Sequence, residues 1–404
     1  MNEVAPISIV IPSNNFSHSL EKVLESISKQ SLKPKEVVIV DSSPNDKNQD
    51  LTKKFIEFLN IKFIQVDQAY PGEARNLGVK NSSEEILLFI DSKTVPSKDF
   101  VSKLYSLFNE NSYEVIFGNT LYLAKSREQK IIRAATFGSI GHETTPGTII
   151  KKETFNKVGG FLEGVRTAED LEWRERVKTK RVSNFCPDKP SLTYSELPDS
   201  YKEMIKRYFK YAFHTAKVNV QENIKSLYLS LALILSALII PRWNYIVGWD
   251  NENLYIPNVT KIYLFSLIVI FLATTYFNRA LISKYFSDPV SFYLKLLIFI
   301  FISLGVYSWN FSIAGWVEEA SLYIPHITKI YLCLIVFLSI LYRGIYLPIR
   351  LKEDKSFLFP LRWIMISIVG LSLDLAKIPG YVVGGLIQPF LFIFTRKKND
   401  LNIN

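Results

Sequence analysis

Sulfur is scarce in this chain. Its 404 residues include 2 cysteines, Cys186 and Cys333, far apart in the sequence. That excludes a disulfide-stapled secreted scaffold and a cysteine-rich metal site, and both read as reduced packing residues. Histidine is also rare, at 4 residues, and His142 has no partner at metal-ligand spacing. The front half has no net charge: residues 1–200 hold 27 Lys+Arg and 27 Asp+Glu. Its N-terminus has no basic stretch, and the apolar run Ile7–Ile11 is too short for a signal core. The run reads instead as a buried first strand, so residues 1–200 are expected to stay in the compartment where they are made. Long apolar runs occur only in residues 201–404, which carry the entire formal charge of +10. A uniformly soluble protein is thereby excluded.

The front half alternates two periodicities. β-rich runs at Ile7–Ile11, Glu36–Val40, Lys62–Val66, Glu85–Ile90 and Glu114–Phe117 are separated by helical stretches. One of these is Leu20–Ser28, with Leu20, Val23, Leu24 and Ile27 on a single face. Strands that are apolar throughout, alternating with helices, predict an α/β domain with a mostly parallel sheet covered on both faces. In such sheets ligands bind beyond the carboxyl ends of the strands. Polar residues follow each strand there: Pro12-Ser13, Asp41-Ser42-Ser43 and Asp91-Ser92-Lys93-Thr94. Pro71–Gly78 is expected to open a helix between two of them. Singly, each Asp has a plain reading as a turn former or helix cap, and Arg75 as a surface charge.

Six pieces in order give a specific pattern. They are Ile9-Val10-Ile11-Pro12, Val38–Ser43, Ala74-Arg75-Asn76-Leu77-Gly78, Leu88–Asp91, Lys157–Phe161 and Ala168–Trp173. Over about 170 residues this half resembles the family 2 glycosyltransferases, inverting nucleotide-sugar enzymes of GT-A fold. The resemblance implies that Asp41 accepts a hydrogen bond from the nucleobase and that Pro12 sets backbone groups against it. It implies that Arg75 helps hold nucleotide charge; an ion pair with Asp41 or Asp91 that holds the loops is the alternative. Asp91 is the first acid of the family's Asp-x-Asp pair, which holds a divalent metal, manganese or magnesium, on the donor diphosphate. Here Lys93 replaces the second acid. Two readings stand: a metal held by Asp91, the diphosphate and waters, or reduced or absent metal dependence with the Lys93 ammonium on the departing phosphate. Asp170, with Glu169 beside it, matches the family's base, which takes the acceptor's proton. Both acids also suit a helix start. Gly159-Gly160-Phe161 is expected to make a tight turn after a helix over Glu153–Val158. Residues 138–147 are expected to form a flexible acceptor loop.

Residues 199–222 read as a basic amphipathic helix in the bilayer interface. Tyr201, Met204, Ile205, Tyr208 and Ala212 recur at helical spacing among Lys202, Lys206, Arg207 and Lys210. Within 223–350, four apolar runs near Ser226–Pro241, Ile262–Phe277, Phe292–Tyr307 and Ile330–Leu347 read as transmembrane helices. Tyr255-Ile256-Pro257 through Leu264 recurs as Tyr323-Ile324-Pro325 through Leu332, so these spans are expected to be two copies of one helical hairpin. The Trp-rich loops carry balanced charge, whereas the alternate connections and the Arg396-Lys397-Lys398 tail are basic. The positive-inside rule puts the basic parts and the front half, residues 1–198, on the cytoplasmic side of a multi-pass plasma-membrane protein. In 351–404, the apolar stretch Trp363–Phe394 is interrupted by Asp374, Lys377, Pro379-Gly380 and Gly384-Gly385. It reads as a re-entrant or interfacial hairpin before the tail.

The expected function is therefore a membrane-anchored inverting transferase. It moves sugar from a nucleotide-diphosphate donor to a lipid-linked, polyprenyl-phosphate or surface-polysaccharide acceptor. Its partners would be the donor, the acceptor and membrane lipids, with no nucleic acid. The rival reading, fed by Lys93, is a non-catalytic nucleotide-sugar-binding scaffold of the same fold.

Overall fold

A computed structural model describes residues 4–15, 18–215, 337 and 339–400, with side chains of the last helix described only to 380 and at 383. The chain divides into two compact units, Met1–Val220 with Tyr342–Asn404, and Gln221–Leu341. The second unit lies almost wholly outside the described residues, as do three of the expected spans, the first part of the fourth, both repeat copies and Cys333.

The first unit is built on one mixed sheet. Its parallel part runs β3 (Ile61–Gln65), β2 (Lys33–Asp41), β1 (Val4–Ser13), β4 (Ile86–Phe89). Beyond β4 the order continues as β7 (Gly141–Lys151), β6 (Val115–Tyr122), β9 (Leu192–Tyr194) and β5 (Thr94–Pro96). β7 is antiparallel to both its neighbours, and the short β8 (Asn184–Phe185) pairs parallel to β6. Side chains alternate across the strands as the pleat requires. Ile7, Ile9 and Ile11 of β1 and Val37 and Ile39 of β2 enter one core with α1 (His18–Ser28) and α4 (Phe100–Glu110). Val10 of β1 faces the other side, with Phe89 and residues of α6 (Lys152–Val158) and α7 (Glu169–Thr179). Val38 and Val40 pack on Ala74 of α3 (Pro71–Asn81). Both faces of the parallel strands are covered, which is why these strands are apolar throughout.

Residues 138–147, expected as a flexible loop, are a correction. From Gly141 onward they are β7, paired with β6 from Leu121↔Gly141 to Val115↔Ile150. The Gly, Thr and Pro content reads as loop, but Thr145, Thr148, Ile149 and Ile150 are fully buried there. Gly159 takes φ +91 at the end of α6, the tight turn expected, in a region that favours glycine.

The C-terminal stretch packs back on the same unit. α8 (Tyr201–Thr215) follows the sheet, and its apolar face, read as lying in the bilayer, is covered by protein. Met204 is buried, and Tyr201, Ile205 and Tyr208 pack with Ile131 and Ile132 of α5 (Arg127–Thr136) and with Ile366, Val369 and Leu373. Amphipathic spacing shows that one face is buried but not what covers it. After a π-helical turn at Tyr342–Tyr346 come α9 (Leu347–Arg350), α10 (Lys355–Leu358) and α11 (Arg362–Asp400). The hairpin expected over 363–394 is not formed: α11 is one helix of 39 residues, about 58 Å long. Two features keep it continuous through the interruptions. Asp374 is paired with Arg343 at 2.7 Å and Lys377 at 3.0 Å, so its charge is not stranded. Gly380 lies where an added Cβ would meet the Phe209 carbonyl oxygen at 2.6 Å and Ala212 Cβ at 2.9 Å. It serves close helix crossing rather than a turn. Arg362–Gly380, at 19 residues and mean hydropathy 1.4, is the one helix among the described residues long and apolar enough to cross a membrane.

Candidate active site

The carboxyl ends of β1, β2 and β4 lie side by side, and α3 supplies the residue that ties the site together. Arg75 is 3% exposed, and its guanidinium donates to Asp91 Oδ1 at 2.7 Å and to Glu169 Oε1 at 2.9 Å. It also stands 5.2 Å from the centre of the Phe161 ring. Burial disfavours its charge, but Asp91, Glu169 and Asp170 outweigh that and hold the guanidinium firmly protonated. Burial pushes the Glu169 carboxyl up from its usual range and Asp170 adds to this, while Arg75 opposes it. Arg75 Nε is buried and has no partner among the described residues.

The rest of the 74–78 motif positions this centre. Asn76 brackets Phe161, donating from Nδ2 to its carbonyl at 2.9 Å and accepting its N–H at 2.8 Å. Glu73 accepts from the Tyr70 N–H at 2.8 Å and from the Gly164 N–H at 2.7 Å. The 160–164 segment is thus laced to α3, and it delivers Glu169 and Asp170 on the first turn of α7. Ala168, which precedes them, takes φ +72, a left-handed conformation that costs a non-glycine residue about 1 kcal/mol. The N-cap Ala168 offers no capping side chain, and Glu169, Asp170 and Glu172 put acidic charge on the first turn of α7, where it also suits the helix start. Asp170 is half-buried, and its carbonyl accepts from Thr145 Oγ1 of β7 at 3.4 Å. Beneath lies an aromatic floor of Phe89, Phe155, Phe161 and Trp173, with Trp173 Nε1 donating to the Gly159 carbonyl at 3.0 Å.

Asp41 and Pro12 reach the same rim two strands and one strand from β4, so Asp41 is roughly 10 Å across. Both are buried. Asp41 is fully covered and accepts from Ser43 Oγ at 2.9 Å and Asn48 Nδ2 at 2.8 Å. It makes no ion pair with Arg75; of the two partners expected for that arginine, only Asp91 is engaged. Lys93 pairs with Glu196 at 2.9 Å rather than with Asp91, and both side chains of that pair are partly exposed. Among the described residues no three His, Cys, Asp or Glu side chains gather as metal ligands. One acid, already held by a guanidinium and followed by a lysine, does not fit a hard divalent cation that wants several oxygens.

Sequence reasoning missed the far wall. Tyr122 stacks on Phe137 at 3.8 Å, with Tyr194 at 5.3 Å and His142 at 5.8 Å. Burial, and after it the Asp170 charge, holds its hydroxyl protonated. Burial also pushes the Tyr194 hydroxyl up to about 12, and Arg207 of α8 is one of the charges acting on it. Arg207 donates to the Glu196 carbonyl at 3.4 Å. A tyrosine at a strand end carries no local signal; its place depends on β6, β9 and α8 meeting.

Residues 8–162 match the family model described as Glycosyl transferase family 2. That stretch is a glycosyltransferase domain. Glycosyltransferase GlyA of Streptococcus pneumoniae is 32% identical over 114 residues, covering 28% of this chain and 16% of that protein. Glycosyltransferase AglE of Haloferax volcanii is 23% identical over 184 residues, or 42% of this chain and 60% of that one. The poly(ribitol-phosphate) β-N-acetylglucosaminyltransferase TarS of Staphylococcus aureus is 29% identical over 114 residues, 27% of this chain and 20% of that one. The chain thus spans from about a sixth to three fifths of the length of these relatives. A crystal structure of S. aureus TarS 1–349 in complex with UDP-GlcNAc covers 64% of this chain and 80% of that one. Its TM-score is 0.39 at 18% identity, too slight to argue from.

Proposed function

We propose that this protein is a membrane-anchored inverting glycosyltransferase. It transfers a sugar from a nucleotide-diphosphate donor to a lipid-linked or surface-glycan acceptor at the cytoplasmic face of the plasma membrane. The observation that carries this reading is the Arg75 node, which gathers Asp91, Glu169 and, through Glu169, Asp170 at the carboxyl rim of the sheet.

Asp170 is the base. It takes the acceptor hydroxyl's proton as that oxygen bonds to the anomeric carbon; the bond from that carbon to the diphosphate oxygen breaks, and the nucleoside diphosphate leaves. Glu169 is a positioning residue, since its carboxylate is spent on Arg75. Lys93 is the cation available to the leaving diphosphate. Its pair with Glu196 is partly exposed, and such pairs are worth about 1 kcal/mol or less, so an anionic donor displaces Glu196 cheaply. No step here runs through a metal. Asp41 reads the base after its carboxylate exchanges Ser43 for the base's N–H. The four apolar runs between 226 and 347 and the basic tail support anchoring.

The test uses purified full-length protein with UDP- and GDP-sugars and a membrane lipid extract. Release of nucleoside diphosphate coupled to labelled glycolipid is expected. Asp170→Asn should lower that rate by about 10²–10⁴ while calorimetry shows unchanged donor binding. Binding without turnover in the natural sequence would instead favour the non-catalytic scaffold.

A further inference from the structure

Away from the carboxylate site, the first unit has an open cavity of about 550 Å³ between the end of α5 and residues 352–362. Lys130 and Arg133 line it from α5, and Lys352 and Arg362 from the C-terminal stretch, with the Ser139 and Ser356 hydroxyls between. We propose that this cavity binds the phosphate headgroup of an anionic membrane lipid.

The walls are held together firmly. Arg133 donates twice to Glu353, at 2.8 and 3.0 Å, and the Glu353 side chain is 2% exposed. The Ser139 N–H donates to the Leu351 carbonyl at 2.9 Å. Arg133 is thereby used up in structure, but Lys130, Lys352 and Arg362 pair with no carboxylate among the described residues. Asp354 also lines the cavity, but both its oxygens are turned onto Ser356, taking its N–H at 2.9 Å and its hydroxyl at 2.6 Å. Four cations against Glu353 and Asp354 leave the lining net positive. Lys352 takes φ +56, a conformation in which glycine would be unstrained. A lysine held there against its own backbone preference places an ammonium at the cavity's edge, and such outliers point to function.

The rim says what carries the phosphate. Phe359, Leu361 and Ile364 are exposed, Leu361 by 67%, within two residues of the lining side chains Phe357 and Arg362. The Arg362 guanidinium lies 5.0 Å from the centre of the Phe357 ring, bridging lining and rim. The first turns of α11 are apolar on both sides: Ile366 and Val369 pack inward, whereas Met365 and Ile368 face out. A free anion has no use for an apolar border. A lipid phosphate sits directly under acyl chains, and basic residues beside apolar ones are the pattern that recognises it. The site shares no residue with the Arg75 node and stands whether or not the transferase reading holds.

The test is calorimetric titration of the full chain in neutral detergent with dioctanoyl phosphatidylglycerol, dioctanoyl phosphatidylcholine or inorganic phosphate. Saturable binding of phosphatidylglycerol is expected, with the other two at least about tenfold weaker. Lys352→Gly with Arg362→Gln should weaken phosphatidylglycerol about tenfold or more at unchanged Tm, because glycine keeps the backbone turn. Lys130→Gln, on an exposed side chain of α5, gives an independent loss of affinity should the double variant fold poorly. Unchanged affinity in these variants overturns the proposal. So does phosphate binding as tightly as the lipid, which assigns a free anion, or phosphatidylcholine doing so, which assigns the apolar rim alone.

Discussion

Replacing Arg75 by Met tests whether the guanidinium holds the site together. The side chain is 3% exposed and pairs with Asp91 and Glu169, so the substitution strands two acids at once. Breaking a buried pair by removing one partner costs about 3–5 kcal/mol. Asp91 is 35% exposed and regains water, so most of that cost falls on Glu169, which is 5% exposed. The penalty depends on pH with a definite sign. Burial already raises the Glu169 pKa, and losing Arg75 raises it further, so at low pH the carboxyl is neutral and its burial is tolerated. As pH rises through that raised pKa, the folded state must either keep the proton or bury a lone charge. Stability of the variant, relative to the natural sequence, is lost in that direction. At pH 8 a loss of about 3 kcal/mol is expected, which lowers Tm by roughly 6–12 °C for a unit of this size. At pH 5 the loss should be less than half as large. Adding Glu169→Gln, which carries no charge to strand, should recover much of the pH 8 deficit. Scanning fluorimetry of the full chain in detergent from pH 5 to 8 reads all three proteins. A deficit that is the same at both pH values, or no recovery in the double variant, refutes the ion-pair account.

Two further outcomes follow from the same geometry. Lys93→Asp breaks only a partly exposed pair with Glu196, so Tm should move by no more than about 2–4 °C. It also restores a second carboxylate beside Asp91, so donor turnover should gain a dependence on manganese greater than that of the natural sequence; identical metal titrations of the two would contradict the assignment of Lys93 to the donor phosphate. Gly380→Ala drives a methyl group into the Phe209 carbonyl at 2.6 Å, and overpacking of this kind costs about 1–3 kcal/mol. Hydrogen exchange of α8 amides should speed up while β1 and β2 keep their protection; no change in α8 would show that α11 does not brace it.

Much of the parallel half was legible because each strand has a local signature and each helix a repeat. Ile7–Ile11 and Val37–Val40 are apolar on both faces, and a strand of that kind is stable only with helices above and below. β7 has no local strand signature because its apolar content is confined to Ile149 and Ile150, while its buried threonines and Gly147 resemble a loop. α11 is hidden in the sequence for the opposite reason. Its Asp, Pro and Gly residues signal a break in isolation, and only partners on other elements, Arg343 for Asp374 and α8 for Gly380, cancel those signals.

The same division holds at the site. The order of strand, polar turn and helix dictated that Pro12, Asp41 and Asp91 would share one rim, since a parallel sheet brings every carboxyl end to the same edge. Only the folded chain decided that Glu169 would belong to Arg75, that Asn76 would bind the 160–164 loop, that Lys93 would face Glu196, and that Tyr122 would stack on Phe137. Periodicity is a property of neighbours along the chain, whereas ion pairs between residues 94 apart depend on how separate elements are brought together.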